Sequence, residues 1–195
     1  MGAFKPLLPF GNSTVIDTCL DQLTGAGVEQ IVVVLGHRAE DVRKVIKSDQ
    51  FTFVINPNPD AKMSSSIELG VSAIPEAAEA VLITPVDYPA VPRWIIQSLM
   101  ENWRGGAKLI QPEFQSKGGH PVLIDLTFRH ELMNLPEESG LRGFFASHRQ
   151  EVLRLPVDSP FVAQDIDTWD DYVTLHQAVF GHKATEFVEP NATND

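Results

Sequence analysis

Asp87 follows the apolar run AVLITPV, where a lone carboxylate is costly unless it opens onto a cleft or has a partner. A divalent cation is one such partner, since Mg²⁺ favours one or two carboxylates together with phosphate oxygens and water. A second acidic station lies in QDIDTWDDY. There Asp165 and Asp167 alternate along an extended segment, so they point the same way while Ile166 is directed into the core. Thr168 is suited to cap the helix that follows, and Asp170 and Asp171 to its positive end. Capping leaves Asp165 and Asp167 unexplained, which makes them candidate metal ligands or groups that orient the ligands.

Three further stretches could face the same cleft. Lys5, in MGAFKPLLPFGNS, places a cation just before a helix start. In NPNPDAKMSSSIELG a rigid Asn-Pro-Asn-Pro turn precedes Ser64, Ser65 and Ser66, and simple capping needs only one serine. Hydroxyls and free N–H groups at a helix start can hold an anion or the edge of a base. His120, after Gly118-Gly119 in QSKGGHPVLI, is a polar tip beside a strand, or no more than a hairpin histidine. His37, after VVVLG, could face the same cleft, while His130, His148, His176 and His182 read as surface residues without metal-ligand spacing. A lysine, two acidic stations and a serine-rich helix start together point to phosphoryl or nucleotidyl transfer. The loop GxxxxGK(S/T) and the nucleophile elbow GxSxG are both absent.

These residues need elements to position them. Apolar runs alternate with helical patterns. Ser13 is predicted to cap a helix through Val15, Ile16, Cys19, Leu20 and Leu23, and QIVVVLG follows as a strand buried on both faces. AEDVRKVIKS, SSSIELGVSAI and the stretch from Pro92 to Trp103 read as helices, the second capped by one of its serines. FTFVIN and AVLITPV read as strands. Later, AKLIQP and HPVLID are predicted to form an antiparallel pair, followed by helix LRGFFASHRQ, strand EVLRLPV and helix TWDDYVTLHQAVF. The alternation predicts an α/β fold, a three-layer α/β/α Rossmann-like arrangement around a mixed, mostly parallel sheet. Residues 1–181 are expected to form one domain and 182–195 a disordered tail.

At 195 residues the chain can bury a core, and a net charge of −11 argues against a broad nucleic-acid or membrane surface. No apolar run approaches the roughly 20 residues of a membrane span. The N-terminus lacks a secretory pattern, which predicts a cytoplasmic protein. The single cysteine, Cys19, excludes an internal disulfide and reads as a buried, inert thiol.

Taken in order, MGAFKPLLPFG, VVVLGHRAEDV, NPNPDAKMSSSIELG, ITPVDYPAV, KGGHPVLI and DIDTWDDY resemble the MobA-like nucleotidyltransferases, most closely the molybdenum cofactor cytidylyltransferase branch. The resemblance implies Mg²⁺-dependent transfer of a nucleoside monophosphate, CMP by preference, from an NTP to the phosphate of a pterin-type cofactor, with release of pyrophosphate. CTP is favoured over GTP on overall resemblance only. By the same resemblance Lys5 neutralises phosphate, Asp87 and Asp167 are the metal positions, and Gly2, Lys5, Asp87 and the serines Ser64, Ser65 and Ser66 contact the nucleotide. Ser66 matches the base- or ribose-contacting serine, and His120 lies near the acceptor. Family members begin with a strand near the centre of the sheet and a loop LAAGxSxRMG, of which only Met1 and Gly2 correspond here. Val86 stands where the family has a glycine, and Trp169 where a proline is common. These departures leave a second reading, a non-catalytic relative that handles cofactor for a molybdenum hydroxylase.

Overall fold

The computed structural model describes residues 4–46, 50–58, 60 and 62–184. Gly2 and residues 185–195 of the expected tail lie outside the described residues. The chain starts in a 3-10 turn, Lys5–Leu7, and a short hairpin of β1 (Pro9–Phe10) and β2 (Ser13–Thr14). Helix α1 (Val15–Gly25) follows. Its cap is Thr14, not Ser13: helix α1 begins at Val15, and the Thr14 hydroxyl accepts from the Asp17 N–H at 3.2 Å.

Strand β3 (Ile31–Leu35), helix α2 (Ala39–Val45) and strand β4 (Phe51–Ile55) form a right-sized crossover unit, and the two strands pair in parallel from Ile31↔Phe51 to Leu35↔Ile55. Helix α3 (Met63–Ser72) returns the chain, and its Gly70 matters here. A Cβ there would sit 3.1 Å from Val34 Cγ2, so glycine allows the helix to lie close on β3.

Strand β5 (Ala80–Ile83), helix α4 (Arg93–Arg104) and strand β6 (Leu109–Phe114) lead into the second sheet. There β6 turns through β7 (Lys117–Gly118) into β8 (Val122–Asp125), which inserts antiparallel between β5 and β6. The antiparallel pairing of AKLIQP with HPVLID is as the sequence predicts. Helices α5 (Arg129–Leu132) and α6 (Gly140–Ser147) precede β9 (Val152–Pro156), which pairs in parallel with β6. So β5, β6 and β9 share one direction and β8 opposes them. Helix α7 (Trp169–Phe180) closes the described chain, with His182 and Ala184 packed on it and its neighbours.

The two sheets are not joined. Among the described residues β3 has only β4 and β5 has only β8 as a partner, and the edges they turn toward each other are unpaired. Between them lies a cavity of about 700 Å³, walled by β3 and β5, with α1 and α4 on one side and α3 on the other. No helix among the described residues is long and apolar enough to cross a membrane.

Candidate functional site

The chemistry-bearing residues meet at one end of the sheet because a single apolar cluster holds their elements. Leu8, Phe10, Val15, Ile166, Tyr172 and Leu175 pack together, each nearly or fully buried. The Tyr172 hydroxyl donates to the Pro9 carbonyl, fastening α7 to the N-terminal hairpin. Lys5 lies just before this cluster and Asp165 and Asp167 flank its member Ile166, so the two chain ends are brought into register.

The acidic stations converge as the alternation predicts. Ile166 is fully buried and its N–H donates to the Asp87 carbonyl at 3.0 Å, which pins the extended segment onto the end of the β5 loop. Asp87, Asp165 and Asp167 each offer a carboxylate oxygen, and these oxygens lie within 4.8 Å of one another. Asp165, which the resemblance passes over in favour of Asp167, is therefore a full member. Thr168 and Asp171 form a reciprocal capping box at the start of α7, so the pair Asp170 and Asp171 serves the helix, not the cluster.

The cluster is electrostatically unsatisfied. Burial raises the Asp87 carboxyl above its ordinary value, and the charges of Asp165 and Asp167 push the same way against its own backbone hydrogen bond and Lys5. Asp87 Oδ1 is fully buried without a hydrogen-bond partner. Burial and the same three carboxylates push the neighbouring Tyr88 phenol up to about 12. The one cation at the cluster among the described residues is Lys5, whose Nζ lies 2.8 Å from Asp167 Oδ1. Three oxygen ligands, one of them orphaned and buried, suit a hard divalent cation.

His120 is brought to the same place. Its ring packs on Tyr88 with centroids 5.0 Å apart, and its N–H donates to the Val162 carbonyl at 2.8 Å. Gly119 permits this approach, since a Cβ there would collide with the Val162 carbonyl. Burial lowers the His120 pKa, so the ring is neutral at pH 7, with Nδ1 buried and unpartnered. His37 instead packs edge-on against Phe4, with centroids 6.1 Å apart.

The serines differ from expectation. Lys62 occupies the cap position of α3 and no side chain caps the helix, because the three serines fall inside its first turn. Ser64 is buried with an unpartnered hydroxyl. Ser65 and Ser66 both accept from Asn56, a residue that reads in the sequence only as part of a turn. Ser66 lines the large cavity beside Thr84, Pro85 and Val86. Val86 packs between two core clusters, and its carbonyl accepts from the Cys19 thiol at 3.4 Å. Burial, reinforced by the Asp87 charge, pushes that thiol up to about 12, in keeping with an inert cysteine.

Residues 1–152 match the sequence model of the MobA-like NTP transferase domain. Among solved structures, Rv0371c of Mycobacterium tuberculosis superimposes with a TM-score of 0.83 at 26% identity, covering 91% of each chain. Its complex with manganese superimposes with a TM-score of 0.80, also at 26% identity, covering 90% of this chain and 93% of that one. A nucleotidyl transferase from Methanothermobacter shares the fold, with a TM-score of 0.79 at 21% identity over 92% of this chain and 86% of that chain. A curated relative, nicotine blue oxidoreductase of Paenarthrobacter nicotinovorans, is 24% identical over 179 residues, or 88% of this chain and 87% of the relative.

Proposed function

The chain belongs to the MobA-like NTP transferase domain family and is a nucleotidyltransferase, and we propose that it moves CMP from CTP to the phosphate of a pterin-type cofactor. The observation that carries this reading is the convergence of Asp87, Asp165 and Asp167 beside Lys5. An oxygen of the acceptor phosphate attacks the α-phosphorus, a new P–O bond forms, and the bond to the β-phosphate oxygen breaks to release pyrophosphate. The attacking oxygen is already anionic, so no protein base is needed. What opposes the step is repulsion between two anions.

Asp87, Asp165 and Asp167 would hold a divalent cation, Mg²⁺ or Mn²⁺, which supplies positive charge to the phosphate oxygens. Lys5 leaves Asp167 for the triphosphate and neutralises charge there. The start of α3 would hold the base or ribose through Ser64, Ser65 and Ser66, and Gly2, outside the described residues, is assigned to the nucleotide by the resemblance alone. Neutral His120, set against Tyr88, lies on the acceptor side and adds no charge to the approaching anion.

Pyrophosphate release from CTP and GTP, measured with a molybdopterin acceptor and Mg²⁺, tests this. Release that depends on acceptor and metal and is lost in Asp87→Ala supports it; a chain inert with every NTP overturns it. The curated relative's oxidoreductase name favours a second, redox reading, so a parallel arm follows NAD(P)H consumption. Calorimetry addresses the non-catalytic reading: binding of a molybdenum hydroxylase without binding of Mg-CTP would favour it.

A further inference from the structure

We infer that Asn56 fixes the hydrogen-bond polarity of Ser65 and Ser66, so that the start of α3 donates to acceptor atoms on a nucleobase edge and selects a base bearing a ring-nitrogen lone pair beside a carbonyl over one presenting N–H groups there. This deepens the nucleotide reading above and rests on it.

Asn56 sits at the end of β4 and is only 5% exposed. Its backbone N–H and both side-chain polar atoms are committed, in four hydrogen bonds. The backbone N–H donates to the Leu35 carbonyl at 2.7 Å, tying β4 to the end of β3. Side-chain Oδ1 accepts from the Asn58 N–H at 3.1 Å. Nδ2 donates to Ser65 Oγ at 3.3 Å and to Ser66 Oγ at 3.2 Å. Exchanging the amide oxygen and nitrogen would set an NH₂ group against the Asn58 N–H, so the amide has one orientation.

The consequence falls on the serines. Each Oγ accepts a hydrogen from Asn56, so each hydroxyl proton must point elsewhere. Serines in helices commonly spend that proton on a preceding carbonyl, as Ser72 does on Leu69 at 2.8 Å and Ser147 on Phe144 at 2.8 Å. Among the described residues neither Ser65 nor Ser66 does so. Both are half-buried, and Ser66 lines the cavity. The turn thus presents two adjacent donors held from behind by a buried amide. Cytosine offers O2 and N3 as neighbouring acceptors, whereas guanine presents N1–H and its exocyclic amine at the corresponding edge.

Asn56→Asp tests this with little change in shape. The carboxylate still accepts from Asn58, but its second oxygen now accepts from the serines, turning their lone pairs outward. The measurement is kcat and KM for CTP and GTP in the wild-type chain, Asn56→Asp and Ser66→Ala, with circular dichroism on each. The expected result is a wild-type preference for CTP. That preference shifts about tenfold toward GTP in Asn56→Asp, through KM and not kcat. Ser66→Ala should weaken CTP about tenfold and leave GTP nearly unchanged. A purely structural Asn56 would weaken both nucleotides equally, and that outcome overturns the inference, as does an unchanged preference. A wild-type chain that binds CTP and GTP alike defeats the polarity argument alone. One that binds neither defeats the nucleotide reading on which it stands.

Discussion

Lys5 Nζ lies 2.8 Å from Asp167 Oδ1, joining the first described turn of the chain at one end to the segment before the last helix at the other. The ammonium sits at the edge of a three-carboxylate cluster and is its internal counter-ion. Under the proposed function it would compete with a divalent cation for Asp167 until triphosphate drew it away.

That competition gives Lys5→Met effects of opposite sign. In nucleotide-free protein, Mn²⁺ affinity should rise, by up to about fivefold, because a half-exposed ion pair contributes no more than about 1 kcal/mol. Pyrophosphate release should fall by about two orders of magnitude, the usual cost of removing one group that meets developing charge. Metal titration followed by turnover on the same sample checks both. A fall in metal affinity would contradict the counter-ion role.

Asp87→Asn should also separate stability from binding. Burial raises the Asp87 carboxyl, so the folded state holds its proton more tightly than the unfolded chain does. Stability from this group is therefore present at low pH and lost as pH rises through its folded pKa. Removing the charge should raise the metal-free melting temperature at pH 7 and leave it nearly unchanged at pH 3, while abolishing metal binding. Thermal melts at both values, with and without Mn²⁺, give the answer.

Asp125 shows the reverse sign away from the site. Burial pushes its carboxyl up, but hydrogen bonds from Thr127 and from the Trp103 indole, the latter at 3.0 Å, outweigh this and hold it below its ordinary value. Its contribution is present above the unfolded pKa and fades as pH falls through the folded one. Asp125→Ala should cost about 1–2 kcal/mol at pH 7, from the lost cap and the orphaned indole N–H. By pH 2 the difference from wild type should have largely closed in urea melts.

The split between β3 and β5 predicts uneven amide exchange. Each of these strands should show alternating protection, with amides facing the cavity exchanging fast and those facing β4 or β8 slow. Strand β6, paired on both sides by β8 and β9, should be protected throughout its paired residues. Uniform protection along β3 and β5 would mean that their edges are paired in solution.

Much of this site was legible because its signals are local. Period-two alternation placed Asp165 and Asp167 on one side with Ile166 inward, and Thr168 announced the cap of α7. The motif resemblance alone would have omitted Asp165, since it assigns a role only to Asp167. Thr14 and Ser13 are equally good caps in sequence and both pair in the β1–β2 hairpin, and only the helix start at Val15 decides between them. The helix start at Met63 was harder still, because Lys62 caps by backbone alone and the serines serve Asn56 instead. The Lys5–Asp167 contact spans almost the whole described chain, and no pattern of spacing encodes it. Asn56 was hidden by its own turn, for Asn-Pro-Asn-Pro explains an asparagine without asking where its amide points.

In the proposed function the aspartate cluster and Lys5 form one site for nucleotide with divalent metal. Calorimetric titration of CTP into the wild-type chain and Asp87→Asn, each with Mg²⁺ and with EDTA, tests it most directly. Binding by the wild type should strengthen at least tenfold with Mg²⁺, and Asp87→Asn should bind more weakly and independently of metal. Equal affinity with and without metal, or equal affinity in the two proteins, would contradict it.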